Sequence, residues 1–527
     1  MKSEGINKNL KQIIFYIVFF LFILAFSTMA SNYDFDFWAR LIIGQYFVQV
    51  GHVPFQDFLS YTPTHACFDH EWAPGVIFYL VYKFFSSPGF LFLQAILTFL
   101  IFFFMTKIIE LRGVKTTSAY NFLFYYFAFI AFRYIVDMPV RCQMFSFIFF
   151  TVFLYLLERE RKGVGGKYDL FIYPPIIMVF WYNLHGGCTI GLGLIVLYII
   201  GEFLNKKPVK KYIFSLLACF LVYPINPWGF KYMKLLVIDS WNSRPMISEW
   251  QGLFSKFTPK ECSKFTVLAS ILILTELGVI IKRLISKTFD FDKTKFLIVA
   301  ATLFFAIKHI KLIPFAVISM TCFFYDDFYT AFNTLTRNFF NKIAIFKDTF
   351  IYLIILLFAF STIYMKGFGP YLDFLRFPVR AVEFIKINNL KGNILQDFNF
   401  GSYISYKLYP HNKIFIDGRY TSVYGRSMLP MIGYFHTGMK GWKKVLEIFP
   451  PDIILLGKTE PVYLLLKNDK FWKVAFEDKS FIVFVKTKDF KNKYKQPSDD
   501  INYYQKRLFD TDIDFKDKKW KKKELKN

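Results

Sequence analysis

Long apolar segments separated by short basic loops fill the first two-thirds of the chain. A membrane-spanning helix needs about 20 apolar residues, so the pattern predicts a polytopic α-helical membrane protein with about 11 spans. The predicted spans are Ile13–Ala30, Gly89–Lys107, Ser118–Val136, Cys142–Leu157, Leu170–Leu184, Gly187–Leu204, Tyr212–Pro224, Phe265–Ile281, Phe296–Ile307, Leu312–Tyr325 and Phe350–Tyr364.

The first apolar segment ends in Ser27-Thr28-Met29-Ala30, a small-residue sequence that resembles a signal-peptide cleavage site. We favour an uncleaved anchor, because the apolar run is long and many further spans follow. The basic stretch Met1–Lys11 then lies in the cytoplasm, and the chain emerges outside after the first span.

A long external loop, residues 31–88, follows the first span. Its segment Pro74–Ser86 is too short to cross a membrane. A crossing there would also move the basic loop at Arg112 to the outside. We therefore predict two interfacial helices, Asp36–Val50 and Glu71–Ser86, within a transmembrane domain that covers residues 1–366.

Short strand patterns begin at about Pro370 and alternate with helical stretches, which predicts an external α/β domain over residues 370–488. The predicted strands are Asn393–Gln396, Lys413–Asp417, Asp452–Leu456, Trp472–Glu477 and Phe481–Lys486. The predicted helices are Ser402–Leu408, Ser427–Phe435 and Gly441–Ile448. Residues 489–527 are Lys-rich and lack an apolar pattern, so we expect a solvated, partly disordered basic tail.

The net charge of +26 raises nucleic-acid binding as an alternative. The Lys and Arg residues lie mostly between apolar spans, however, where membrane orientation explains them. We therefore expect no nucleic-acid partner. The six cysteines are scattered and form no CxxC pair, which argues against a zinc site or a disulfide framework.

Polar and charged residues collect at the predicted external ends of the spans. Charged groups are costly beside lipid, so their gathering on one side predicts a shared cavity with carboxylates for base chemistry and cations for an anionic group. These residues are Asp34, Asp36, Asp57, His70, Glu71, Arg141, Gln143, Asn183, His185, Glu249, Lys308 and His309.

The acidic residues also have structural interpretations. Asp36 could cap an interfacial helix, and His70 with Glu71 could bond the loop to itself. In the C-terminal domain, Asp417 and Arg419 could pair locally, or the domain could overhang the cavity and use them to select the acceptor or the sugar.

The basic residues have structural interpretations too. Arg141 could snorkel to lipid head groups. His185 precedes two glycines and could cap a helix-breaking turn. Lys308 and His309 could anchor a helix at the interface.

Ten short motifs occur in an order that resembles the GT-C superfamily of polyprenyl-phosphate-dependent glycosyltransferases, and more closely a bacterial subgroup of large membrane proteins. The superfamily includes protein O-mannosyltransferases, aminoarabinose transferases of lipid A and oligosaccharyltransferases. The motifs are DFDFWARLIIGQ, VPFQDFLSYT, DHEW, MPVRCQMFSF, WYNLHGG, INPWG, SEW, KHIKLIPF, FNFGSYISYKL and KIFIDGRYTSVYG. In better-known GT-C families the acidic pair is often Asp-Glu, whereas here Phe37 follows Asp36.

The resemblance implies that a sugar passes from a polyprenyl-phosphate-linked donor to a protein or glycolipid acceptor on the non-cytoplasmic face. It implies an inverting transfer with Asp36, and secondly Asp34, as the general base. These two residues also form a DxD, which leaves a divalent metal open as a cofactor.

For the leaving phosphate, the resemblance implies Arg141, His185, Lys308 and His309 as donors. It also places the chain in a bacterial inner membrane, with its N-terminus in the cytoplasm and its C-terminal domain outside.

Two other functions stay open. A non-catalytic GT-C-like scaffold would present the C-terminal domain to an envelope partner. A transporter or flippase of amphipathic lipids would need polar residues at mid-membrane depth, where the predicted spans are mostly apolar, with Glu276 an exception.

Overall fold

The chain forms two compact units in the computed structural model. One unit comprises Met1–Ser31 and Ser87–Pro370, and the other comprises Asn32–Ser86 and Tyr371–Asn527. The loop after the first helix thus groups with the C-terminal part of the chain, whereas the sequence assigned it to the transmembrane domain. The structure describes residues 2–29, 33–65, 67–114, 141–233, 244, 246–253, 274, 278, 281, 292–325, 348–366, 370 and 372–516.

Apolar helices build the described part of the first unit. Their bounds are Lys2–Met29, Gln143–Arg161, Asp169–Leu184, Cys188–Leu204, Lys210–Leu221, Lys293–Lys308, Ile310–Tyr325 and Asp348–Lys366, together with the part of Trp72–Glu110 that follows Ser86. The first and last of these helices pack through phenylalanine rings, with the rings of Phe26 and Phe358 5.5 Å apart. The unit is therefore held together by apolar contacts between helices.

A buried arginine, Arg161, links three segments of the first unit through ion pairs. Arg161 pairs with Glu158 on its own helix at 3.0 Å, with Glu202 at 2.7 Å and with Asp292 at 2.9 Å. Asp292 also caps the Lys293–Lys308 helix, because its carboxylate accepts from two backbone N–H groups of the first turn. The acidic residues in and beside the basic loops are therefore structural partners.

Within the described part of the chain, two helices are long and apolar enough to cross a membrane by length and composition, Leu10–Thr28 and Trp72–Glu110. Shorter apolar helices span Cys188–Leu204, Ile310–Tyr325 and Tyr352–Met365. The predicted count of about 11 spans is not confirmed. The predicted span Ser118–Val136 lies outside the described residues, and so does Phe265–Ile281 except for Leu274, Gly278 and Ile281.

The long helix Trp72–Glu110 is interrupted at Ser86, whose backbone is non-helical with φ 53° and ψ −155°. Pro88 lies just beyond this break and disfavours helical geometry at the residue before it. The break falls between the predicted helices Glu71–Ser86 and Gly89–Lys107, and it is also where the chain passes from one unit to the other.

A five-stranded mixed sheet with the order β2-β1-β3-β5-β4 forms the centre of the second unit. β1 pairs in parallel with β2 and β3, whereas β5 is antiparallel to β3 and β4. The strands are β1 Gly392–Gln396, β2 Asn412–Ile414, β3 Ile453–Gly457, β4 Trp472–Glu477 and β5 Phe481–Lys486. All five residues of β3 are buried, as the central position of this apolar strand requires.

Short helices accompany the sheet, and the predicted α/β class is confirmed. Their bounds are Val379–Ile387, Gly401–Leu408, Met428–Thr437, Lys444–Ile448, Val462–Lys467 and Ile501–Lys506, in addition to Phe37–Val50 from the loop. β2 is shorter than the predicted Lys413–Asp417, because the backbone N–H of Phe415 bonds to the side chain of Gln396 instead of continuing the strand.

The loop after the first helix adds to the exposed edge of this sheet. Ser60 forms a parallel bridge with Ile414 of β2. The N–H of Tyr61 donates to the carbonyl of Ile414, whose own N–H donates to Leu59, both at 3.0 Å. The edge strand is therefore covered by the loop, which satisfies its backbone groups.

The expected solvated tail is corrected for residues up to 516. Ile513 and Phe515 are buried in the second unit, and the ring of Phe509 lies 5.8 Å from that of Trp38. The side chain of Gln45 donates to the carbonyl of Ile513 at 2.9 Å. Apolar residues spaced between the lysines make this packing favourable, a pattern that overall composition hides.

Candidate active site

Asp36 lies near the start of the second unit along the chain, immediately before the Phe37–Val50 helix. Its carboxylate makes no capping hydrogen bond to the first turn of that helix. It lies instead against the backbone of Gly418, so closely that a Cβ at that position would overlap its Oδ1. A side chain at position 418 would have to displace this carboxylate, which gives a physical reason for the glycine between Asp417 and Arg419. Asp34, two residues earlier, is buried.

A buried ion network surrounds that glycine. Arg419 pairs with Asp417 through Nε at 2.9 Å and with Asp57 of the loop through Nη1 at 2.6 Å. The hydroxyl of Tyr424 links the network to Ser60 Oγ at 2.6 Å. The local pairing of Asp417 with Arg419 is thus present, and the same arginine also holds the loop.

The charge of Asp57 is stabilised within this network. Burial alone would raise the pKa of Asp57, but the positive charge of Arg419 and hydrogen bonds from Ser60, Arg419 and Leu59 lower that pKa below its usual value of 3.8. Asp57 was predicted to bind substrate. The structure engages its carboxylate in an ion pair and a turn, so we assign it a positioning role.

A second buried pair holds the loop to its own helix. Arg40 contacts Asp69 and, through Nε, Glu71 Oε2 at 3.0 Å. His70 Nδ1 is 3.1 Å from Ser422 Oγ in the C-terminal segment. Glu71 therefore bonds the loop to its own first helix, as the structural interpretation expected, whereas His70 also bonds it to the C-terminal segment. Arg40 was missed, although it is the only Lys or Arg between Lys11 and Lys83.

In the first unit, cations gather around the short helix Ser248–Trp250. Arg141 Nη1 donates to Glu249 Oε2 at 2.8 Å. The next residue, Trp250, has Lys311 Nζ 3.2 Å from its ring centroid and Arg244 Cζ 4.4 Å from it. Cations stacked on an aromatic face are held in position while still able to meet an anion.

His309 joins the same segment. Its Nδ1 lies 2.7 Å from the carbonyl oxygen of Trp250, which fixes the orientation of the imidazole. Lys308 is exposed at the end of its helix. The sequence had placed Arg141, Glu249, Lys308 and His309 at one site. Arg244 and Lys311 were missed, although Lys311 lies in the same KHIK run.

His185 is held in a short hydrogen-bonded chain. Trp181 Nε1 donates to Ser146 Oγ, which lies 2.7 Å from His185 Nδ1. Gly187 N–H also donates to that nitrogen at 3.0 Å. Nδ1 is therefore an acceptor, which assigns the ring proton to Nε2. The predicted role as a turn cap is present.

The remaining two predicted residues are placed at helix ends. Asn183 donates to the carbonyls of Val179 and Ile225 at 2.7 and 2.8 Å, so its amide closes a turn. Gln143 begins the Gln143–Arg161 helix, and its Oε1 is buried and accepts no hydrogen bond from the described residues. Such a buried acceptor is costly unless a partner occupies the position beside it.

Candidate metal ligands were sought among the described residues. Asp34 and Asp36 belong there to no group of three or more His, Cys, Asp or Glu ligands, so the DxD sequence does not by itself assemble a metal site. One such group exists elsewhere in the second unit, at Asp397, His436 and Glu460.

Comparison with known proteins identifies solved structures of similar fold. An archaeal oligosaccharyltransferase, AglB from Archaeoglobus fulgidus, solved in complex with an inhibitory peptide and a dolichol-phosphate, matches with a TM-score of 0.56 at 11% identity. The match covers 95% of this chain and 77% of that one. No family model matches the chain, and no curated protein does. At this identity the comparison shows a similar fold, and it indicates no subgroup.

Proposed function

We propose that the protein transfers a sugar from a polyprenyl-phosphate-linked donor to a protein or glycolipid acceptor on the non-cytoplasmic face of the membrane. The observation that carries this proposal is the position of the Asp36 carboxylate, which lies against Gly418 in the second unit. It occurs in a chain whose fold is similar, over 95% of its length, to an oligosaccharyltransferase.

In this proposal, Asp36 is the general base. The hydroxyl or amide of an acceptor is a weak nucleophile, and a positioned carboxylate takes its proton as the anomeric carbon is attacked. The carbon–oxygen bond to the lipid phosphate breaks as the new bond forms, so a single displacement inverts the anomeric centre. Asp34 is the second candidate for this role.

The leaving phosphate needs positive charge or hydrogen-bond donors. We assign this role to the cations around Ser248–Trp250, namely Arg141, Arg244, Lys311 and the Lys308–His309 pair. The guanidinium groups suit phosphate oxygens through two parallel N–H donors. Glu249 orients Arg141 through the 2.8 Å ion pair, and His185 offers the N–H of its Nε2.

The ion network of Arg419 supports the base. Its pairs with Asp57 and Asp417 fix the turn that contains Gly418, and hence the surface on which the Asp36 carboxylate lies. Buried, fully paired charges of this kind hold a geometry more than they add stability. Arg419 and Asp57 are positioning residues in this proposal.

The test uses purified full-length protein in nanodiscs with undecaprenyl-phosphate-linked sugars. Asp36→Asn should keep donor binding and lower transfer by at least about 100-fold, the usual contribution of a general base. Arg141→Ala should weaken donor binding. Glu477→Gln serves as the control. It removes a carboxylate on β4 that pairs with Lys458 and Lys467. Full transfer by Asp36→Asn would exclude Asp36 as the base.

A non-catalytic scaffold is the second candidate. It is favoured by one observation: Asp57, Glu71 and Asp417, all predicted at the site, are engaged in internal ion pairs. A scaffold would bind no lipid-linked sugar in the same experiment. Saturable binding that Arg141→Ala weakens would argue against it.

A further inference from the structure

Three side chains of types that bind metal ions lie close together at the carboxyl-terminal edge of the sheet in the second unit. Asp397 directly follows β1, Glu460 lies in the turn after β3, and His436 is near the end of the Met428–Thr437 helix. Their ligand atoms all lie within 4.8 Å of one another. None of the three belongs to the candidate active site described above.

The topology of the sheet makes this edge a natural binding position. β1 and β3 are adjacent and parallel, but the chain leaves β1 toward β2 and leaves β3 toward the opposite side of the sheet. Open α/β sheets bind ligands beyond the carboxyl ends of strands at such a reversal of strand order. Asp397 and Glu460 follow the carboxyl ends of these two strands.

His436 supplies a second, independent observation. The residue is 7% exposed, and its Nε2 is buried without a hydrogen-bond partner among the described residues. Its Nδ1 faces the two carboxylates, 3.4 Å from Asp397 Oδ2 and 3.7 Å from Glu460 Oε2. The buried imidazole thus presents Nδ1 to both carboxylates at once, the arrangement that a shared cation requires.

The distances match those between ligands of one metal ion. Nitrogen and oxygen ligands lie about 2.0–2.2 Å from zinc, and two of them at a tetrahedral angle are therefore about 3.4 Å apart. Asp397 is already oriented for this role, because its Oδ1 accepts from the N–H of Asn399 at 2.7 Å. Its Oδ2 is the atom nearest His436.

The charges of the cluster are incomplete without a cation. Among the described residues, no lysine or arginine forms an ion pair with either carboxylate.

We propose that Asp397, His436 and Glu460 bind one divalent transition-metal cation, with Zn²⁺ as the best match. One imidazole nitrogen with two carboxylate oxygens suits Zn²⁺ better than Mg²⁺ or Ca²⁺, which take oxygen ligands. Three protein ligands leave a fourth position for water or an anionic group of a ligand. This site is separate from the proposed sugar transfer and does not depend on it.

The test is Zn²⁺ binding to the full-length protein in detergent after treatment with a chelator. Titration against a chromophoric zinc indicator, with metal analysis after dialysis, should give one Zn²⁺ per chain. His436→Ala and Glu460→Gln should each weaken binding by at least about tenfold, since even outer-shell changes cost that much. Glu477→Gln, a carboxylate of the same unit held by Lys458 and Lys467, should leave binding unchanged.

Two results would overturn the site: no stoichiometric Zn²⁺, or binding that His436→Ala and Glu460→Gln leave intact. Should His436→Ala unfold, Glu460→Gln decides, because the Glu460 side chain is 28% exposed and tolerates the change. Asp36→Asn should bind Zn²⁺ as the wild type does. Zinc binding therefore tests the metal site independently of the proposed sugar transfer.

Discussion

At the residue scale, the carboxylate of Asp36 lies close against Gly418 in the candidate active site. A Cβ at position 418 would overlap Oδ1 of Asp36, so Gly418→Ala should displace that carboxylate. A displacement of about 1 Å can cost 100-fold in rate. We expect transfer by Gly418→Ala to fall at least tenfold, measured as kcat with a lipid-linked sugar donor. Gly425→Ala is the matched control, because a Cβ there meets no heavy atom within 4 Å.

A double variant makes that prediction sharper. If Gly418→Ala acts only by moving Asp36, it should cause no further loss of transfer in an Asp36→Asn background, because the base is already absent. Additive losses would contradict this and would assign Gly418 to the general stability of the turn.

Asp57 gives a prediction about stability and pH. Its folded-state pKa is below its usual value of 3.8, so its charge stabilises the fold fully above that pH, and the contribution is lost as the pH falls through the folded-state pKa. Asp57→Asn breaks a buried pair and should cost about 3 kcal/mol at neutral pH. The difference between the thermal midpoints of the variant and the wild type should begin to shrink as the pH falls below about 3.8.

The control for that experiment is Asp499→Asn, whose side chain is 89% exposed in its pair with Arg380 and should contribute little. A gap between Asp57→Asn and the wild type that stays constant from pH 7 to pH 3 would contradict the assigned charge state.

At the scale of elements, the pattern of apolar residues along the chain predicted most of the strands of the sheet. Apolar runs bounded by turn residues predicted the positions of β1, β3, β4 and β5 to within a residue, because the local sequence shows which residues are buried. The end of β2 was missed because a distant side chain, Gln396, takes the N–H that would continue the strand. No local pattern contains that information.

The same limit applies to the candidate site. The sequence identified the acidic loop and the SEW and KHIK segments, and the structure joins the last two through His309 and the carbonyl of Trp250. The sequence could not indicate that Arg419 forms an ion pair with Asp57, since 362 positions separate the two residues. The cluster at His436 was invisible for the same reason, because its three ligands come from separate segments.

At the scale of the whole molecule, the division into units constrains the path through the membrane. Asn32–Ser86 and Tyr371–Asn527 form one unit around an open five-stranded sheet, and lipid-exposed open sheet edges do not occur in the hydrocarbon region of a bilayer. In the membrane topology that we propose, both segments therefore lie on the same side, and the chain between them crosses an even number of times. The spans predicted between Gly89 and Tyr364 satisfy this condition.

The side on which the second unit lies is a prediction from charge that can be measured. Basic loops favour the cytoplasm, which predicts the loop around Val164 on the inside and the second unit on the outside. Met439→Cys and Val164→Cys place thiols at positions that are 60% and 57% exposed. Cys67, Cys142, Cys188, Cys219 and Cys322 are buried, so Cys262→Ser completes the background. A membrane-impermeant maleimide should label Met439→Cys in intact spheroplasts and Val164→Cys only after permeabilisation. The reverse pattern would put Asp36 in the cytoplasm and remove it from any reaction on the outer face.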